Sequence, residues 1–434
     1  MRIPTISGAF KTLIIAVVIV LAPHAFGADV HKDADIGLVT AAQQGDLTKL
    51  NYCLSHGADI NAKDADGNTA LFAALESGKA DCAHALIEHG AAVNVRDQRK
   101  LSYNCSALSE AIENISVPHH AYKNLIAALL DKGADVNAKD DYGTPLLHAA
   151  SAACFTQAND VFRLLIQHGA DISVKNKLGQ TVLMEVLGHV GTKAETEMDM
   201  VQALTEKGAD LLEMNQYGQT ALTLAACGAA PKIVRMLVDN GDDVNRIDAE
   251  GMTPLLHSCE CEPSDSVVRA LLECGANVNV KDRHSQSPLA MSCERGKTEI
   301  VRMLLAKNAD VDIRGDHQET ALMQAANQLR LDVVHLLVEH GAAVNARDDA
   351  GYSPLMWAVQ DRRYAEPIGD SLGSNHKYYD STIPVVEYLL QRGADINASG
   401  KDGCTVRAVA WKTNASIADW LGDRGAHMYT QVPI

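Results

Sequence analysis

Three cysteines and a histidine pair are the residues whose types could hold a metal ion or respond to oxidation. Cys259 and Cys261 are separated by one residue, Cys293 follows 32 positions later, and His119 is followed directly by His120. Thiolate and imidazole groups bind zinc, but structural zinc sites usually draw on paired Cys-x2-Cys ligands, which these cysteines do not provide. We assign no metal ligand and keep a metal- or redox-responsive protein using the three cysteines as the alternative hypothesis.

Catalytic chemistry would require a recognisable set of residues. The sequence has no Walker phosphate loop, no His-Glu-x-x-His metalloprotease motif and no kinase signature. Asp and Glu are abundant, but they recur at turn positions, where short polar side chains satisfy the backbone. We therefore expect no enzyme, no catalytic residue and no cofactor.

The charge of the chain excludes some partners and favours others. The formal net charge is −17 over 434 residues, and there is no run of Lys or Arg. An acidic surface repels nucleic acid and anionic lipid head groups. We expect no nucleic-acid binding, and we expect any protein partner to have a partly basic docking surface.

The amino terminus has the pattern of a secretory signal. Arg2 and Lys11 supply positive charge, residues 13–22 form a short apolar core, and Ala25 and Gly27 are small residues at the positions that signal peptidase inspects. The apolar run is short for a membrane span, so no stable membrane anchor is expected. Residues 1–27 are predicted to be removed, which makes Ala28 the first residue of an exported protein, periplasmic or secreted.

A repeated Gly-Ala-Asp-like triplet, followed by residues resembling Val-Asn-Ala-Lys-Asp, organises the rest of the chain. The steps from Gly208 to Gly241 and from Gly275 to Asn308 are each 33 residues. A constant step of this size indicates a solenoid. The triplet begins at Gly57, Gly90, Gly133, Gly169, Gly208, Gly241, Gly275, Asn308, Gly341, Gly393 and Gly425.

Each unit has the same internal order of signals. A turn such as Tyr217-Gly218-Gln219 precedes Thr-Pro-Leu or Thr-Ala-Leu, in which the hydroxyl suits a helix N-cap and Pro suits the first turn. A second helix follows, with apolar residues at i, i+3 and i+4, such as Val301, Leu304 and Leu305. Gly at the triplet favours the left-handed conformation that ends a helix.

This pattern resembles the ankyrin repeat, in about eleven units. The resemblance implies an α-helical repeat solenoid, an ankyrin-type stack of β-turn plus helix–helix units, forming a single array over residues 28–434. One departure is that the histidine usual after Thr-Pro-Leu is replaced, for example by Leu256, which predicts that packing replaces a polar tie between repeats. His257, one position later, is expected to pack partly against the next repeat.

Three insertions interrupt the period. They lie near residues 114–120, 191–198 and 361–382, and each is predicted to lie between the two helices of its unit. The third contains Tyr and Arg, which are enriched at interface hot spots. The residues that it contributes to a candidate binding surface are Arg362, Arg363, Tyr364, Tyr378 and Tyr379.

The resemblance also implies where a partner would bind. Ankyrin-type arrays present hairpin tips and first helices on one concave face. The tip residues predicted to contact a partner are Tyr142, Tyr217, His284, His317 and Tyr352. The function predicted from the sequence is therefore a non-enzymatic protein–protein interaction scaffold that acts after export, and the oligomeric state is left open.

Overall fold

The computed structural model describes residues 27–96, 105–114, 121–140, 143–151, 158–188, 194–228, 230–261, 265–360 and 372–428. The described residues belong to two compact units, residues 1–209 and residues 210–434. Both units consist of paired antiparallel helices joined by hairpin loops. Within the described residues, β-structure is limited to isolated bridges, such as the one from Lys63 to Thr69.

The first unit contains five helix pairs. Apart from the first pair, whose first helix has 18 residues, the first helix of each pair has six or seven residues, and the second helix packs against it. In chain order the helices are α1 (Gly27–Gln44), α2 (Leu47–Ser55), α3 (Ala70–Glu76), α4 (Ala80–Glu88), α5 (Ala107–Glu113), α6 (Ala121–Asp131), α7 (Pro145–Ser151), α8 (Ala158–Gln167), α9 (Val182–Leu187) and α10 (Ala194–Glu206).

The second unit contains six helix pairs of the same kind. They are α11 (Ala221–Ala225), α12 (Pro231–Asp239), α13 (Pro254–Glu260), α14 (Asp265–Glu273), α15 (Pro288–Glu294), α16 (Thr298–Ala306), α17 (Ala321–Asn327), α18 (Leu331–Glu339), α19 (Pro354–Val359), α20 (Leu372–Gln391), α21 (Val406–Thr413) and α22 (Ala415–Gly422). The ankyrin-type helical stack expected from the sequence is therefore confirmed.

The boundaries of the helices follow from the signals in the sequence. The hydroxyl of Thr253 accepts a hydrogen bond from the Leu256 amide at 3.3 Å, and Ser287 caps α15 in the same way. At the other end of the unit, Asn308 takes a φ of 61°, the left-handed conformation that Gly takes in the other repeats. The predicted caps and stops are thus observed.

The core lies between the two helix layers. Leu304 and Val301 of α16 are fully buried, and so are Cys259 and Cys293, which occupy the small-residue position of adjacent first helices. Both thiols are free. The prediction that these two cysteines do not bridge each other is confirmed.

A row of Asn and Asp side chains, which we call the asparagine ladder, connects consecutive repeats. The Oδ1 atom of each accepts the backbone amide of the next repeat's loop at 2.7–3.0 Å. The members are Asn61, Asn94 and Asn137 in the first unit and Asn245, Asn279, Asp312, Asn345 and Asn397 in the second. The residues in the histidine position, such as Leu256, are buried as expected, but the ladder adds polar ties between repeats that the sequence analysis did not predict.

The third insertion is partly helical. Residues 361–371 lie outside the described residues, but α20 begins at Leu372 and continues through Pro384 to Gln391. Thr382 is fully buried. The insertion was predicted to lie between the two helices of its unit; the structure instead places residues 372–382 in the second helix, α20. The second insertion likewise lengthens α10, which begins at Ala194.

Candidate functional site

A groove of about 450 Å³ lies in the second unit, between hairpin tips and the first helices of three consecutive repeats. Its residues come from the end of α15, the hairpin before α17, α17 itself, the hairpin before α19, and α19. The lining residues are Glu294, His317, Glu319, Gln324, Asn327, Gln328, Asp348, Asp349, Ala350 and Trp357.

The hairpins are held by their own polar side chains. Glu319 accepts the His317 amide at 2.8 Å, and the His317 carbonyl accepts the Asp349 amide of the next hairpin at 2.9 Å. Asp348 accepts the Tyr352 amide through Oδ1 at 2.7 Å. These bonds fix the positions of the tips, so the groove walls are preformed in the described structure.

Trp357 lines the groove, and neighbouring residues hold its indole ring in place. Its indole Nε1 donates to Asp348 Oδ2 at 2.8 Å, and its ring packs on Met323, Ala346 and Tyr352. The ring is 7% exposed. Since a rigid aromatic side chain loses little conformational entropy on binding, this position is suited to contact with a partner.

The charge of the groove is one-sided. The lining contains the carboxyl groups of Glu294, Glu319, Asp348 and Asp349 and no Lys or Arg. Three side-chain amides supply additional donors and acceptors. Such a surface can hold cationic side chains by charge-assisted hydrogen bonds.

The predicted site residues divide into three groups. His317 lines the groove and is exposed, while Tyr217 and His284 are exposed at earlier tips of the same unit. Tyr352 is half-buried instead: its hydroxyl donates to Asp402 Oδ2 at 2.9 Å, linking two repeats. Burial, together with this hydrogen bond, raises the pKa of Tyr352.

The remaining predicted residues cannot be placed in the groove. Tyr142, Arg362, Arg363 and Tyr364 lie outside the described residues. The backbones of Tyr378 and Tyr379 lie in α20, but their side chains lie outside the described part of the structure.

The sequence interpretation missed Trp357, Glu319 and Asp348. A signal for Trp357 was present, because the fourth position after the N-cap varies strongly among repeats. It holds Glu185, His257 and Gln324 elsewhere. Core positions keep similar residues from repeat to repeat, whereas a position whose residue type changes can serve a different role in each repeat.

His257 shows a second use of the same position. Its Nε2 lies 2.7 Å from Asp248 Oδ2, in the hairpin of its own repeat. The sequence did not predict this hydrogen bond, and the expectation that His257 also packs partly against the next repeat stays a prediction. The bond forms because the hairpin directs the Asp248 carboxylate towards the His257 side chain.

The cysteines do not form the site of the alternative hypothesis. Cys261 is disulfide-bonded to Cys227, so it is not available together with Cys259 and Cys293. Burial raises the pKa of the Cys259 and Cys293 thiols, which disfavours the thiolate that a metal or an oxidant needs. In the described part of the chain, no three His, Cys, Asp or Glu side chains are grouped to hold a metal ion. His119 and His120 lie outside it.

One Gly-x-Ser-x-Gly pattern, residues 369–373, was overlooked in the sequence. In hydrolases the serine of this pattern lies at a sharp turn between a β-strand and a helix. Here the preceding described element is the helix α19, and Ser371 is outside the described residues. The pattern alone therefore does not indicate a hydrolase.

Comparison with known families gives the assignment of the repeats. The profile described as ankyrin repeats (3 copies) matches residues 38–140, 147–248, 189–282, 232–314, 266–348 and 289–366. A profile for a single ankyrin repeat matches residues 350–401. The chain belongs to the ankyrin-repeat family.

Individual ankyrin-repeat proteins are similar over part of the chain. Ankyrin repeat and SOCS box protein 6 of Homo sapiens is 35% identical over 176 residues, covering 38% of this chain and 38% of that protein. The putative ankyrin repeat protein YahD of Escherichia coli (strain K12) is 30% identical over 214 residues, covering 48% of this chain and 98% of that protein. The chain thus spans well under two thirds of the human relative.

Ankyrin repeats generally mediate protein–protein interaction, and protein partners are therefore the class indicated for this chain. No described helix has both the length and the apolar character needed to cross a membrane.

Proposed function

We propose that this ankyrin-repeat protein is a non-enzymatic scaffold that acts after export and binds a protein through the groove of its second unit. The groove is what supports the proposal, because it combines preformed walls, the Trp357 ring and four carboxyl groups. A partner with Lys or Arg side chains on its docking surface complements this charge. Complementary charge mainly speeds association and selects the partner.

The third insertion is part of the proposal. Arg362, Arg363 and Tyr364 follow α19 directly in the sequence, and α19 carries Trp357 of the groove. Tyr378 and Tyr379 belong to the insertion as well, near its end. We therefore include these residues with His317 and Tyr352 in one contact region.

Export is supported by two observations. The first is the signal-like amino terminus. The second is the disulfide between Cys227 and Cys261, since disulfides persist mainly in oxidising compartments such as the periplasm and the extracellular space.

The test uses proteins captured by the full-length chain from the periplasmic or extracellular fraction of the producing cell. Each captured protein is compared for binding to the parent chain and to Glu294→Gln/Asp349→Asn. These two acids are chosen because Glu319 and Asp348 hold the hairpin backbone. We expect about tenfold weaker binding and a smaller dependence on salt, because the variant removes two negative charges from the groove.

A matched control makes the same charge change elsewhere. Glu88→Gln/Asp131→Asn neutralises two exposed carboxylates at the ends of α4 and α6 in the first unit. This control should bind like the parent chain. Equal affinities for the groove variant and the parent chain would refute the assignment of the groove.

A further inference from the structure

A disulfide connects the first helices of two adjacent repeats in the second unit. Cys227 follows α11, and Cys261 follows α13, with 5.5 Å between their Cα atoms and 34 residues between them in the sequence. Both residues are partly exposed. We call the contact between these two repeats the α11–α13 interface.

The asparagine ladder is interrupted at this interface. Leu212 occupies the position of the ladder residue and is 41% exposed, so it offers no acceptor to the loop of the next repeat. At the next interface Asn245 restores the ladder, with its Oδ1 2.7 Å from the Asn277 amide.

A second polar tie is missing at the same place. In later repeats an arginine of the hairpin reaches a carbonyl of the following repeat: Arg314 Nη1 lies 2.9 Å from Arg347 O, and Arg347 Nη1 lies 3.0 Å from Ser399 O. The equivalent residue here is Met214, which has no N–H to donate; its Sδ accepts only a weak hydrogen bond from Arg246 Nη1 of the following repeat at 3.6 Å.

A buried carboxylate weakens the interface further. Asp242 replaces the buried alanine found at this position in other repeats, such as Ala276 and Ala342. Its side chain is fully buried, and neither carboxylate oxygen makes a well-formed hydrogen bond; the nearby Thr220 hydroxyl and Leu222 amide offset only part of the effect of burial. The nearest cation, Arg246 Nε, is 3.8 Å from Oδ1. Because burying a poorly paired carboxylate is costly, any opening of the interface that lets water reach Asp242 is favoured.

The backbone still joins the two repeats at the hairpin tip. The Ala249 amide donates to the Tyr217 carbonyl at 2.8 Å. The disulfide thus spans an interface that keeps this tip bond and the weak Arg246–Met214 contact but lacks the ladder bond and the arginine-to-carbonyl bond.

From these observations we propose that the Cys227–Cys261 disulfide is a redox-controlled lock on the α11–α13 interface. When the disulfide is formed, the two repeats stay stacked. When it is reduced, this interface opens locally before the others in the second unit. The lock does not depend on the proposed partner or on the groove.

The chemistry requires an external disulfide, either from a thiol–disulfide oxidoreductase or from a small disulfide. One protein thiolate attacks the donor disulfide, forms a mixed disulfide and releases one donor thiolate. The second protein thiolate then attacks the sulfur of the first cysteine, forms the Cys227–Cys261 bond and releases the other donor thiolate. Both cysteine protons leave to solvent, and the donor gains the two electrons.

Five of the seven free cysteines among the described residues are poorly placed to compete, while the other two, Cys274 and Cys404, are partly exposed. Cys53, Cys82, Cys105, Cys259 and Cys293 are buried and free. Burial raises the pKa of the Cys82, Cys105, Cys259 and Cys293 thiols. A buried thiol reacts slowly with an external disulfide because the donor cannot reach it.

The test is hydrogen exchange read by mass spectrometry on the full chain, oxidised and then reduced with a phosphine. Peptide mapping without reduction first confirms the Cys227–Cys261 link. On reduction, we expect amides of α11 and α13 to exchange about tenfold faster or more, while those of α17 keep their rates. Cys227→Ser/Cys261→Ser should match the reduced parent chain and be insensitive to the phosphine.

A rescue variant separates the lock from a general loss of stability. Adding Leu212→Asn to the double serine variant restores the ladder and should slow exchange in α11 and α13 again. If the serine variant does not fold, the parent chain reduced in place gives the comparison. Unchanged exchange on reduction, equal acceleration along the whole unit, or absence of the link in oxidised protein would overturn the proposal.

Discussion

Two aspartates of one hairpin loop show how the immediate surroundings of a residue decide its effect on stability. Asp248 is buried, which by itself raises its pKa, but His257 and the amides of Met252 and Glu250 bond its carboxylate and lower the pKa overall. Burial raises the pKa of Asp242, and the Thr220 hydroxyl and Leu222 amide near it offset only part of that effect. The same residue type therefore stabilises the fold at one position and destabilises it at the other.

Replacing Asp242 with Ala is expected to raise the free energy of unfolding at neutral pH by about 1–3 kcal/mol, because an unbonded buried carboxylate is removed. Since the pKa of Asp242 is raised in the folded protein, the destabilisation that its buried charge causes is present at pH values above that pKa. The cost fades as the pH falls through the folded pKa towards the ordinary Asp range near 4. Urea unfolding at neutral and acidic pH should show this gain shrinking on acidification.

Asp248→Ala is the opposite case and serves as the comparison. Losing the hydrogen bonds to a charged group should cost about 1.5–3 kcal/mol at neutral pH. The pKa of Asp248 is lowered by folding, so its contribution is present above the unfolded pKa and is lost as the pH falls through the folded one. A stability loss in Asp242→Ala as large as that in Asp248→Ala would contradict our account of this loop.

At the scale of elements, the hairpins connect the repeats and the helices fill the core. The first helices have only five to eight residues from α11 onwards. Helices this short are marginal in isolation. Their stability depends on the caps at their starts, on packing against neighbours and on the asparagine ladder.

Asn345→Leu reproduces in a complete part of the ladder the substitution that occurs naturally at Leu212. Asn345 accepts the Asp395 amide and donates to the Gly393 carbonyl, both at 2.8 Å. We expect the free energy of unfolding to fall by about 1–2 kcal/mol, since two modest, solvent-accessible hydrogen bonds are lost. Denaturant unfolding of the full chain measures the change.

Glu339→Leu makes a similar polar-to-apolar change at the exposed end of α18, away from the ladder. Exposed substitutions of this kind usually stay within about 0.5 kcal/mol. Equal losses in the two variants would show that the ladder adds nothing beyond the cost of exposing Leu.

At the scale of the whole molecule, composition and charge constrain function more than any single residue does. The formal net charge of −17 accompanies a groove with four carboxyl groups and no Lys or Arg. For the partner that we propose, this distribution predicts a long-range attraction that salt weakens.

Export gives a prediction for the whole chain. Amino-terminal sequencing of protein from the producing cell should find Ala28 first, because the charged start, the apolar core and the small residues at 25 and 27 are typical of a secretory signal. The mature chain would then begin within α1, which starts at Gly27. Detection of Met1 on the abundant form of the protein would remove the case for processing.

Sequence alone determined the repeat, its caps and the positions of most helices. It could do so because these features depend on residues close together in the chain: Thr253 caps the helix that begins at the next residue, and Asn308 ends the one just before it. The ladder was visible as recurring Asn residues, but we interpreted them only as turn residues. Their partners lie a full repeat away.

Only the tertiary structure decided which distant residues meet. Trp357 and Glu294 line one groove although their repeats are separate in the sequence, and Cys227 pairs with Cys261 rather than Cys261 acting with Cys259. The physical reason is that stacking brings equivalent positions of neighbouring repeats together, but the direction of each side chain within the stack sets which of them touch. The local pattern fixes the stack, while the contacts between repeats fix the groove, the disulfide and the buried charge of Asp242.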